Sequence, residues 1–191
     1  MVLPKVKNEK FTYADYRAWD DNQRWEIIDG FAYDMSPAPN TKHQVISMNL
    51  AGIFHTYLKG KPCKVFPAPF DVRFSKIGAK DEEVENVVQP DISVICNPMK
   101  LDEKGASGAP DLIVEILSPS TSKKDMGIKS FLYQRFGVRE YWIVDPASDS
   151  VLVYLLDDTG KFDTFEYTST DLVRVSIFPD LEINLSEVFE K

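Results

Sequence analysis

Hydrophobic and polar positions change period several times along the chain, and each change marks an element. Phe11 to Trp19 reads as a short helix, with Thr12 as N-cap and Asp15 three residues on, a capping box built with the shorter acid. Arg24 to Met35 reads as two strands turning at Asp29-Gly30, a favoured hairpin signal. Ser36 to Asn40, with prolines at 37 and 39, is an irregular connection. A second helix is expected over Thr41 to Lys59. Its apolar stripe is Val45, Met48, Ile53 and Leu58, supported by Phe54 and Tyr57, and Gly60 and Pro62 stop it. Cys63 to Phe66 and Phe70 to Phe74 are the next strands. The latter alternates, Phe70, Val72 and Phe74 against Asp71 and Arg73, as suits a half-buried antiparallel strand.

Two runs then break the rule that buried strands are apolar. Residues 89–95 (Gln-Pro-Asp-Ile-Ser-Val-Ile) and 110–120 (Pro-Asp-Leu-Ile-Val-Glu-Ile-Leu-Ser-Pro-Ser) both read as short, fully buried strands. Yet Asp91 opens one and Glu115 sits inside the other. Residues 75–88 and 98–109 read as charged, glycine-containing loops. A helix capped by Thr121 or Ser122 is expected to run to Phe136 and end at Gly137. Val138 to Asp145 is strongly strand-like, with Val151 to Leu156 as its hairpin partner and Lys161 to Thr168 after it. Leu172 to Phe178 returns to the sheet, and Leu185 to Phe189 ends in a short helix. This order describes an α/β protein of α+β character, a central mixed sheet flanked by helices, in one domain over residues 1–191. Val151 to Leu156 is apolar enough to need cover, which a second subunit would supply, so a homodimer is a candidate assembly.

Composition adds limits. Hydrophobic residues are 43 % and charged residues 27 % of the chain, as in ordinary globular proteins. No apolar run is long enough to span a bilayer, and the N-terminus lacks the apolar core of a signal peptide. Cys63 and Cys96 lie in apolar strand-like runs, which favours buried free thiols in a reducing, cytoplasmic setting over a disulfide. A formal net charge of −8 weighs against tight non-specific nucleic-acid binding.

Candidate chemistry centres on acids. A carboxylate among Ile, Val and Leu must be paired, hydrogen-bonded or metal-bound, and Asp91 and Glu115 admit one common explanation, a divalent cation. Glu26 is the third acid of this kind. Oxygen donors without clustered cysteine or histidine favour Mg²⁺ or Mn²⁺, a setting suited to phosphodiester hydrolysis. Lys129, beside Ile128 and Phe131, is the candidate cationic partner, and His43 is an accessory candidate. Each has a plainer alternative. Asp91 can cap or turn the chain, Glu115 can pair with Lys129 or Arg135, Glu26 can face solvent, and His43 can be a surface or capping residue. Asp29 and Asp145 read as turn formers, Lys123 and Lys124 as solvated. Of Tyr141 and Trp142, adjacent on one strand, at most one is expected to face the core. Nucleotide-binding glycine loops, HExxH and CxxC are absent, and Ser118 and Ser120 do not form a nucleophile elbow.

Several segments taken together carry a family likeness. Trp25-Glu26-Ile27-Ile28-Asp29-Gly30, Asn40-Thr41-Lys42-His43, Gln89-Pro90-Asp91-Ile92-Ser93-Val94, Val114 to Thr121, Asp125 with Lys129 and Tyr133, and Gly137 to Pro146 resemble, in this order, the Uma2 family. The resemblance covers about residues 11–190. It implies a restriction-endonuclease-like fold of the PD-(D/E)XK superfamily. It also implies metal ligation by Asp91, Glu115 and the Ile116 backbone carbonyl, with Glu26 assisting. The superfamily lysine falls two residues after the acid; Leu117 occupies that place here, and Lys129 is the matching amine from the following helix. The implied function is a metal-dependent endonuclease acting on DNA. The alternative is a catalytically inactive, dimeric interaction or regulatory protein that keeps the fold. That alternative expects a direct Glu115–Lys129 ion pair in the metal-free protein.

Overall fold

A computed structural model of the chain describes residues 10–20, 23–35, 39–118 and 125–190. Helix α1 (Tyr13–Ala18) begins with the complete Thr12–Asp15 capping box. Strands β1 (Trp25–Ile28) and β2 (Phe31–Asp34) form the expected hairpin. Asp29 at φ 52° and Gly30 at φ 80° both take the left-handed geometry that a tight two-residue turn requires. Helix α2 (Thr41–Leu58) is capped by Asn40, whose side chain accepts the His43 N–H at 2.9 Å. Strands β3 (Lys64–Pro67), β4 (Val72–Arg73), β5 (Val87–Val88), β6 (Ile92–Ile95), β7 (Leu101–Asp102), β8 (Gly105–Ser107) and β9 (Leu112–Ile116) follow. A π-helical turn over Asp125–Lys129 runs into α3 (Ser130–Phe136), which Gly137 ends in a left-handed conformation. Then come β10 (Glu140–Asp145), β11 (Ser150–Leu156), β12 (Phe162–Thr168), β13 (Leu172–Arg174), β14 (Glu182–Asn184) and α4 (Leu185–Val188).

The main sheet has the order β12-β11-β10-β9-β6-β3 and is mixed: β9 and β10 run parallel, the other neighbours antiparallel. Parallel neighbours need a crossover, and α3 lies in that connection. A second sheet has the order β2-β1-β5-β4-β8-β7, and β13 pairs with β14 in a ribbon. One face of the main sheet packs against Ile46, Leu50, Phe54 and Leu58 of α2 together with the ribbon and α4. Its other face packs against Leu132 and Tyr133 of α3 and against Ile28, Val72, Val88 and Ala106 of the second sheet. The result is a mixed-sheet α/β architecture flanked by helices, as expected.

Coverage of both faces explains most departures from the expected pattern. Tyr141 and Trp142 are both 0 % exposed, because Trp142 faces α2 and Tyr141 faces α3. The buried face of α2 is His43, Ile46, Leu50, Phe54 and Leu58, whereas Val45 and Met48 of the expected stripe are exposed. That face begins with a histidine, which a hydrophobicity count discounts. Val72, Arg73 and Phe74 are all buried instead of alternating. Strand β4 lies inside the second sheet, where the Arg73 guanidinium donates to Asp102 at 2.6 Å and to the Ala106 carbonyl at 3.2 Å. The two charged excursions contribute β5, β7 and β8 to that sheet. Strand β11 is covered by β12, so it is no edge and gives no argument for a second subunit. Cys63 and Cys96 form a disulfide, because the antiparallel β3–β6 register pairs Lys64 with Ile95 and sets the cysteines across from each other. The inference from free thiols to a reducing compartment loses its footing. No helix among the described residues is long and apolar enough to cross a membrane. The candidate cap residues Thr121 and Ser122, and Lys123 and Lys124, lie outside the described residues.

Candidate active site

Alternation along β9 decides where its acid points. Val114 and Ile116 join the core under α2 while Ile113 joins the opposite one, so Glu115 faces α3 and the second sheet. Lys129 and Tyr133, four residues apart, come from the helical segment packed there. The Lys129 ammonium lies 2.9 Å from Glu115 Oε1, and the Tyr133 hydroxyl donates to the same oxygen at 2.6 Å. Glu26 arrives from β1: its Oε1 lies 2.8 Å from Lys129 Nζ and accepts the Gln89 N–H at 3.2 Å. Glu26, Glu115 and Lys129 are 0 %, 4 % and 3 % exposed, so one ammonium serves two carboxylates inside the core. Burial and then the Glu115 charge push the Tyr133 hydroxyl well above its ordinary pKa, keeping it a donor. A π-turn immediately before α3 fits the frequent placement of such turns at functional sites.

Asp91 precedes β6, one step beyond the Ile92–Val114 pair, and therefore stands across from Glu115. Its Oδ2 accepts the Ile116 N–H at 2.7 Å, and its carbonyl accepts the Ala68 N–H at 2.9 Å. His43 Nε2 lies 3.3 Å from the same Oδ2. Burial works against a charged His43, but hydrogen bonding to Asp91, its charge and the Ile116 backbone outweigh burial and raise the imidazole pKa above its ordinary value. The site thus has two groups, Glu26–Glu115–Lys129–Tyr133 and Asp91–His43. They meet through the backbone of Ile116, beside Glu115, and of Gln89, two residues before Asp91. Among the described residues no three His, Cys, Asp or Glu side chains converge as a ready-made metal cage.

The family described as "Putative restriction endonuclease", Uma2, matches residues 13–186. The chain belongs to the Uma2 family. It is 29 % identical over 171 residues to the uncharacterized protein slr1290 of Synechocystis, a match covering 88 % of this chain and 86 % of the relative. A crystal structure from Anabaena variabilis, described as "a putative nuclease belonging to DUF820", superposes with a TM-score of 0.71 at 23 % identity, over 94 % of this chain and 97 % of that one. That likeness is one of fold.

In this Uma2 chain Leu117, at the place of the superfamily lysine, packs against the core beneath α3. The Lys129 amine reaches the acids instead. Arg135, the other cation considered for Glu115, bonds Asp29 at 2.6 Å. Asp145 shapes its turn by accepting the Ala147 N–H at 2.8 Å. Sequence reasoning gave no role to Tyr133 or Gln89, although the four-residue spacing of Lys129 and Tyr133 was a usable signal. The Gln89 amide nitrogen donates to Asp71 Oδ1 at 2.8 Å and to the Tyr16 hydroxyl at 3.1 Å, while Arg24 donates to Gln89 Oε1 at 2.5 Å. Burial and the Asp71 charge push Tyr16 up to about 12. An open cleft of about 390 Å³ flanks this network, and its lining sets Asp71, Asp102 and Glu103 against Lys104.

Proposed function

We propose that this Uma2 protein is a divalent-cation-dependent endonuclease that hydrolyses DNA phosphodiester bonds. The observation that carries the reading is a grouping of acids. Glu26 and Glu115, both buried, share one ammonium, Lys129, and the β6–β9 register sets Asp91 across from Glu115, where its Oδ2 accepts the Ile116 N–H. A centre that binds a hard divalent cation is built from carboxylate and carbonyl oxygens of this kind. Asp91, Glu115 and the Ile116 carbonyl, with Glu26 assisting, would hold Mg²⁺ or Mn²⁺. When bound, the cation supplies acidification of a water molecule and neutralisation of phosphoryl charge. The rest falls to the chain. Tyr133 and Lys129 fix Glu115 Oε1, the Gln89 N–H fixes Glu26 Oε1, and the Ile116 N–H orients Asp91. In this reading Lys129 would orient a nucleophile and stabilise phosphoryl oxygens. The family description and the nuclease-like fold support this reading.

A second reading, a non-catalytic and dimeric partner protein, has one observation in its favour: the direct Lys129–Glu115 pair at 2.9 Å is what it expects. Nicking of supercoiled plasmid in Mg²⁺ or Mn²⁺ separates the two. Cleavage by the wild type that disappears in Asp91→Ala and in Glu115→Ala supports the nuclease. Cleavage that persists unchanged in both variants removes the site assignment.

A further inference from the structure

His43 has no place in the carboxylate scheme above, yet its setting is built. The Asn40 cap bonds the His43 N–H and fixes where α2 starts. Lys42, its neighbour, bonds the Pro146 carbonyl and lies 2.7 Å from Asp149, which pins that helix end to the β10–β11 turn. The imidazole side chain is only 8 % exposed. A histidine buried for packing has both ring nitrogens satisfied. Here Nδ1 has no hydrogen-bond partner among the described residues, while Nε2 lies beside Asp91 Oδ2, the oxygen that also accepts the Ile116 N–H. Asp91 and the Ile116 carbonyl are two of the groups assigned above to the cation. Adjacent ligands of one octahedral ion with bonds of about 2.1 Å stand about 3 Å apart, and the Nε2–Oδ2 separation is 3.3 Å.

We infer that His43 is itself a metal ligand through Nε2, completing a mixed nitrogen–oxygen set with Asp91 and the Ile116 carbonyl, and that it turns the site's preference from Mg²⁺ towards Mn²⁺ and later first-row ions. The chemistry is direct: Mg²⁺ selects oxygen donors and keeps its water, whereas imidazole suits transition metals. The inference rests on the cation-binding reading of Asp91 and Ile116, so its test must separate the two.

The measurement is electron spin-echo modulation of Mn²⁺ added alone to the full chain, with and without ¹⁵N-labelled histidine. The chain has two histidines, and His55 is exposed at the far end of α2, so a His55→Gln background assigns the signal. Directly bonded histidine nitrogen, together with calorimetric Mn²⁺ binding about tenfold or more tighter than Mg²⁺ that His43→Gln largely abolishes, supports the inference. Bound Mn²⁺ without nitrogen coupling overturns His43 ligation and leaves the carboxylate site standing. Absence of Mn²⁺ binding overturns both.

Discussion

Two carboxylates are buried in neighbouring parallel strands of the main sheet, and their surroundings differ in kind. Glu140, at the start of β10, is 0 % exposed. It accepts the Trp142 indole N–H at 2.8 Å on one oxygen and the Ile177 N–H at 3.0 Å on the other. Its donors are neutral and its work is structural: it ties the segment before β14 to the sheet. Burial raises its pKa, with those donors opposing. Glu115, near the end of β9, shares one ammonium with Glu26 and stands across from Asp91. A buried acid is therefore not by itself a site. What separates the two is company: Glu140 is a single acid with a neutral donor on each oxygen, whereas Glu115 and Glu26 meet at one ammonium with Asp91 next along the register.

The comparison can be broken by substitution. Lys129→Ala leaves two buried carboxylates without their cation and is expected to cost about 3–5 kcal/mol in urea unfolding. A loss no greater than that of Glu140→Ala would make the two centres equivalent scaffolding. Glu140→Ala strands an indole and a backbone N–H and should cost roughly 2–3 kcal/mol, without altering cation binding measured by calorimetry. The pH dependence sharpens this contrast. Because the folded pKa of Glu140 lies above the unfolded value of 4.5, the folded chain holds its proton longer. The stability linked to that proton is complete below 4.5 and is lost as pH rises through the folded pKa. Thermal unfolding of Glu140→Gln should show a flatter slope across that window. The smallest effect is Tyr133→Phe, which removes one donor from Glu115 and should cost about 1.5 kcal/mol in the same urea titration. A null result there would mean that the Tyr133 hydroxyl adds nothing to the holding of Oε1.

Legibility followed the range of the interactions. The Thr12–Asp15 box, the Asp29-Gly30 turn and the Gly137 stop are local, and each was readable from a few residues. Asp91 and Glu115 were noticeable because a lone charge in an apolar run needs a partner wherever it ends up. Glu140 escaped notice because it follows Arg139 at a strand start, where a charge looks solvated. The α2 face, the double burial of Tyr141 and Trp142, and the Cys63–Cys96 disulfide were misread for one reason. Each depends on what lies across a sheet or on its far side.

By itself, the sequence determined the order of the main helices and of the longer strands, the main turns and the presence of acids that cannot remain unpartnered in a core. Only the tertiary structure decided who the partners are. The Ile92–Val114 register sets Asp91 across from Glu115, and the crossover through α3 delivers Lys129 and Tyr133 to one oxygen of Glu115. The second sheet brings Glu26 from the far end of the chain to the same ammonium. Hydrophobic pattern sets which face of an element is buried; strand pairing and helix packing, acting between residues distant in sequence, set which charges meet there.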